Sequence, residues 1–122
     1  MQKTFSEIFE IQGIGLHSGL PSKMTFYPAD ANSGIVFVRA DLPNKPEFKA
    51  VYNQVVDTRN CTCLGNEKKE IVSTIEHIMA ALYVLGVDNA RIEVTNPETP
   101  IMDGSWLRSI EISFRASKWH IY

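Results

Sequence analysis

Glu76 and His77 stand side by side in the stretch Ser73-Thr74-Ile75-Glu76-His77, and no other pair in the chain has clearer chemical potential. An imidazole can hold zinc, and a neighbouring carboxylate can take a proton from water that a metal activates. Two common zinc-hydrolase patterns are not met. HExxH needs a glutamate directly after His77, where Ile78 stands, and HxxEH needs a histidine where Ser73 stands. Glu76 also fits a capping box, with Ser73 accepting a first-turn N–H and Glu76 reaching back to the cap. His77, taken alone, equally suits a packed or surface histidine. Spacing leaves both readings of each residue open.

Four further residues carry chemistry. Cys61 and Cys63 are one residue apart, too close for an ordinary structural disulfide, so both are expected as reduced thiols. On a strand they share a face, which suits either a pair of soft metal ligands, with His77 as a possible third, or two small side chains packing on a sheet. His17 lies in the glycine-rich run Gly13-Ile14-Gly15-Leu16-His17-Ser18-Gly19, where the backbone can approach a ligand or simply turn. Asp103, before Gly104-Ser105, reads as a turn residue or as a buried carboxylate that orients a histidine. Phe26, Tyr27 and Phe37 read as core or sheet surface, and His120 as part of a tail without a functional role.

These residues need a scaffold, and the bulk properties provide for one domain. The chain has 122 residues, and its 44% hydrophobic content suffices for a single core. Twelve basic residues against fourteen acidic ones, with no long run of one sign, argue against a nucleic-acid partner. No apolar stretch approaches the roughly 20 residues that cross a bilayer, and the start lacks the apolar run of a secretory signal. A cytoplasmic protein is expected.

The first half alternates short β-rich runs with turns. Phe5 to Ile11, Met24 to Tyr27, Ile35 to Val38, Val51 to Val56 and Asn60 to Leu64 are the strand candidates, and Met24–Tyr27 is expected to pair with Ile35–Val38. Gly65 to Lys69 reads as a polar turn before Ile71-Val72. A helix is expected from about Thr74, with Ile75, Ile78, Met79, Leu82 and Leu85 as its apolar stripe and Gly86 as a left-handed terminator. Its far face, His77 with Ala80, Ala81 and Val84, is also small and apolar, so a further partner is expected there. Ala90 to Val94 alternates as a strand, and Asn96 to Pro100 turns. The expected fold is α+β: one small domain with a mostly antiparallel or mixed sheet covered by helix on one face.

Four ordered motifs, Gly13 to Gly19, Ser73 to His77, Gly86-Val87-Asp88-Asn89 and Pro100-Ile101-Met102-Asp103-Gly104-Ser105, resemble those of the UDP-3-O-acyl-N-acetylglucosamine deacetylase family. Asp57-Thr58 and Cys61-Thr62-Cys63-Leu64 sit where that family has similar residues. The resemblance implies a zinc-dependent hydrolase that removes the acetyl group from UDP-3-O-(3-hydroxyacyl)-N-acetylglucosamine in lipid A biosynthesis. It implies two similar α+β domains, this chain supplying the first. By the same resemblance His77 is a zinc ligand, Glu76 the general base, and His17, Asp103, Cys61 and Cys63 lie near the substrate.

The resemblance also implies what to expect elsewhere. The family's other zinc ligands and its proton-transfer histidine belong to the second domain and have no counterpart in these 122 residues. The Zn2+ site is therefore expected to be incomplete and the chain inactive alone. Residues 1–105 read as the deacetylase-like domain, and 106–122 as a divergent tail with an unpacked end, consistent with a truncated or shifted reading frame. The alternative is a non-catalytic half-enzyme that pairs with a second deacetylase chain or another subunit.

Overall fold

The run Pro21-Ser22-Lys23-Met24-Thr25-Phe26-Tyr27-Pro28 buries Ser22, Met24 and Phe26, every second residue, as a strand with one face on a core must. The computed structural model describes residues 2–15, 17–51, 55, 62–100 and 120–121. In it this run is β3 (Pro21–Pro28), part of a five-stranded sheet with β2 (Phe9–Ile14), β4 (Ile35–Arg39), β5 (Glu47–Lys49) and β8 (Ala90–Val94). The order is β2-β3-β8-β4-β5, and the sheet is mixed because β8 runs antiparallel to β3 but parallel to β4. Two smaller ladders join β1 (Lys3–Thr4) to β9 (His120–Ile121) and β6 (Cys63–Gly65) to β7 (Ile71–Ser73).

Register aligns Phe9, Phe26, Ile92, Phe37 and Phe48 opposite one another across all five strands. The rings of Phe9 and Phe26 stack at 4.7 Å, and Phe5 meets both edge-on at 4.9 and 5.7 Å. The helix α1 (Glu76–Leu85) adds Ile78, Ala81 and Leu82 to the same core. Full burial of each large side chain here stabilises by about 1.5–3 kcal/mol. The α+β fold with helical cover thus stands as expected. Among the described residues no helix is long and apolar enough to cross a membrane.

The helix ends where Gly86 enters the left-handed region at φ 77°, ψ 27°. The Gly86 N–H donates to the Tyr83 carbonyl and the Val87 N–H to the Leu82 carbonyl, the paired bonds of a Schellman cap. The following Asp88-Asn89 ties down the amino-terminal segment. Asp88 accepts the Lys3 N–H, while buried Asn89 accepts the Gly34 N–H and donates to Gln2. Gly86 to Asn89 therefore has a structural role in this chain.

Several expectations are corrected. β3 and β4 do not pair, because β8, supplied from more than 50 residues downstream and burying Ala90, Ile92 and Val94, inserts between them. The alternating run from Phe5 to Ile11 is not one strand: Phe5 turns into the core and the strand begins at Phe9. The capping box does not form. Ser73 lies in β7 with its hydroxyl donating to the Pro97 carbonyl, the residue preceding the helix is Ile75, and no side chain caps it. Ala81 faces the core rather than the far side of α1. His120 pairs opposite Thr4 and Ile121 opposite Lys3, while the rest of the proposed tail over 106–122 lies outside the described residues. The proposed strand over 51–56 lies largely outside the described residues, although Val55 forms an isolated bridge to Leu64.

Candidate functional site

Glu76 and His77 open α1, the first two residues of the helix. His77 is exposed, and Glu76 is half-buried. The Glu76 carboxylate, freed from any capping duty, accepts the Thr62 N–H at 2.7 Å through Oε2. The Thr62 carbonyl in turn accepts the Ile75 N–H at 3.2 Å. This reciprocal clamp ties the start of the helix and the Glu76 carboxylate to Thr62. The unsatisfied N–H groups and partial positive charge of the first turn also favour negative charge forming nearby.

The residue that sequence reasoning passed over is Glu98. It stands inside what reads as a polar turn, yet it is only 4% exposed. Its carboxylate accepts the His17 N–H at 2.9 Å, the Ser18 N–H at 2.9 Å and the Thr74 hydroxyl at 3.2 Å. Burial pushes the carboxyl pKa up, but the bonds from Ser18, His17 and Thr74 together outweigh it and hold the group below its usual range. Gly15 packs so close to Glu98 Oε1 that a Cβ would collide with it. The close approach allowed by the glycine-rich loop is therefore to a carboxylate of the chain itself.

Thr74 joins this arrangement to the helix. It adopts φ 64°, a left-handed conformation that a β-branched residue seldom holds. Its carbonyl accepts the Thr99 hydroxyl at 2.6 Å, its hydroxyl donates to Glu98, and the neighbouring Ser73 carbonyl accepts the Thr99 N–H. Such strain persists only where surrounding bonds overdetermine it. Here it lies two residues before Glu76 and three before His77.

His17 itself is exposed on its loop. The structure thus connects the His17 loop, through Glu98 and Thr74, to the segment that carries Glu76 and His77. Cys63 is buried in β6, whereas Cys61 and Asp103 lie outside the described residues. Among the described residues no three His, Cys, Asp or Glu side chains gather as a metal site. An exposed imidazole on a helix's first turn is the donor type that zinc takes. Among the described residues, His77 offers one donor of that type.

A family model described as UDP-3-O-acyl N-acetylglycosamine deacetylase matches residues 2–114. Curated proteins named UDP-3-O-acyl-N-acetylglucosamine deacetylase, from Pasteurella multocida (strain Pm70) and Haemophilus ducreyi (strain 35000HP / ATCC 700724), are each 49% identical to the chain over 104 residues. The one from Tolumonas auensis (strain DSM 9187 / NBRC 110442 / TA 4) is 48% identical over 104 residues. Each comparison covers 85% of this chain but 34% of the relative, so the chain spans about a third of the length of the curated relatives it matches. Because the family model matches nearly the whole chain, the chain belongs to the UDP-3-O-acyl N-acetylglycosamine deacetylase family.

Proposed function

We propose that this chain supplies one wall of a cytoplasmic, zinc-dependent deacetylase that hydrolyses the acetamide of UDP-3-O-(3-hydroxyacyl)-N-acetylglucosamine in lipid A biosynthesis. The observation that carries the reading is the clamped Glu76 beside exposed His77 at the start of α1, in a chain 49% identical to curated deacetylases. His77 would hold the zinc ion, which when bound supplies Lewis acidity that polarises the scissile carbonyl. Glu76 acts as the general base. With Oε2 held by Thr62, its other oxygen takes a proton from the attacking water. As the C–N bond breaks, the amine leaves with a proton and acetate is released. In this reading His17, Asp103, Cys61 and Cys63 lie near the substrate, Cys63 as a buried residue of β6.

One imidazole is two ligands short of a three-ligand catalytic zinc site, so residues 1–122 alone bind zinc weakly and do not turn over. The remaining ligands come from a second deacetylase domain or chain. A zinc titration of the chain, with and without a separately produced second domain, tests this. Stoichiometric tight zinc and turnover appear only in the mixture, and Glu76→Gln lowers that turnover by about 10²- to 10⁴-fold. Deacetylation by the purified chain with zinc and no second polypeptide would overturn the division of the site.

A second reading rests on Tyr83 and Val84, which are 86% and 80% exposed on α1. An apolar face left open in this way suits a non-catalytic module that pairs with another subunit. Size-exclusion and pull-down with a full-length deacetylase separate the two: a defined complex that leaves turnover unchanged favours the module.

A further inference from the structure

We propose that Glu98 is a positioning residue that sets the His17 loop against the Glu76-His77 turn, so that a displacement of one is transmitted to the other. The inference rests on the deacetylase reading for its functional meaning, but its geometry is independent of it. A single buried carboxylate takes two N–H groups from the loop, at His17 and Ser18, and one hydroxyl from Thr74. The two partners are more than 50 residues apart in sequence and are bridged by this one group.

Three features make the connection rigid rather than incidental. Gly15 lets the loop close onto Glu98 Oε1, where the Cβ of any larger residue would collide. Thr74 is held at φ 64°, and its carbonyl and hydroxyl are both engaged, by Thr99 and Glu98. Glu98 is anchored from behind, its N–H donating to Asn96 Oδ1 and its carbonyl accepting the Ser22 hydroxyl. Releasing the carboxylate therefore frees the loop and relaxes the residue that leads into α1. On the deacetylase reading, Glu98 would thereby hold the His17 loop at a set position relative to Glu76-His77.

The test uses the isotopically labelled chain of residues 1–122 and the imidazole signals of His17 and His77. Glu98→Gln is compared with Ser22→Ala, which breaks a buried bond to the Glu98 carbonyl but leaves the carboxylate's bonds in place. In Glu98→Gln, amide exchange at His17 and Ser18 speeds up at least about tenfold, and the His77 ring signals move. In Ser22→Ala the His77 ring signals stay at their wild-type positions. Should Glu98→Gln fail to fold, Thr74→Val, which removes one bond of the three, gives the same comparison with a smaller displacement. His77 signals that coincide with wild type in the folded variant, or that move equally in Ser22→Ala, overturn the proposal. No turnover is needed, so a failure of the deacetylase reading shows as missing activity and not in these spectra.

Discussion

At the scale of single residues, the buried polar groups set how stability responds to solution conditions. Because folding lowers the Glu98 pKa, the unfolded chain binds the extra proton between that depressed value and the ordinary 4.5. Stability from Glu98 is therefore complete above about pH 4.5 and drains as pH falls through the depressed value. Urea midpoints measured from about pH 6 to about pH 3 should fall more steeply for the wild type than for Glu98→Gln, which at neutral pH is less stable by about 2–4 kcal/mol. Equal slopes would show that the carboxylate gains nothing from its donors. Arg39 makes a second case. It is 5% exposed, grips Asp41 with two nitrogens at 2.8 and 2.7 Å, and donates to the Ile71 carbonyl at 2.8 Å, joining the end of β4 to β7. Arg39→Ala should cost about 3 kcal/mol, since Asp41 keeps some solvent while the Ile71 carbonyl loses its donor. Arg39→Lys should recover little of this in a thermal melt, because one ammonium cannot reproduce the planar fork.

At the scale of elements, backbone conformation decides what side chains tolerate. Gly86 has open space where a Cβ would go, so the cost of Gly86→Ala is conformational alone, about 1–2 kcal/mol. Lys69 occupies the same left-handed region at φ 61° in the exposed turn between β6 and β7, and Lys69→Gly should raise stability by up to about 1 kcal/mol. Denaturant midpoints of the two variants should move in opposite directions. This difference also explains what was legible in the sequence. Gly86 announced the helix end because the left-handed conformation selects glycine, and Ala90 to Val94 announced a strand by alternation. The capping box failed because Ser73 had a stronger claim on it, the backbone around Pro97. The pairing of β3 with β4 failed because neighbouring strands in sequence give no sign of a strand that later inserts between them. Glu98 was hidden for the same reason: a loop more than 70 residues earlier, by closing over it, turns a polar turn residue into a buried acceptor.

At the scale of the whole molecule, the described residues form one hydrophobic core and leave Tyr83 and Val84 of α1 exposed. Glu76 and His77 are legible in the sequence as a pair, and spacing leaves a base and ligand open beside a cap and a packed histidine; only the family resemblance favours the first. The structure then removed the cap. The core does not depend on the open face: Ile78 and Leu82 are buried, whereas Tyr83 and Val84 project from the opposite side. If that face serves only an interaction beyond residues 1–122, replacing it should leave folding untouched. The double variant Tyr83→Ser with Val84→Ser should keep its unfolding free energy within about 0.5 kcal/mol per substitution of the wild type, as surface changes do, while light scattering reports less self-association. A loss of several kcal/mol would mean that Tyr83 and Val84 are packed in the free chain. The same variant, mixed with a separately produced second domain, should lose zinc-dependent turnover with Glu76 and His77 intact. Retained turnover would place the mating surface elsewhere.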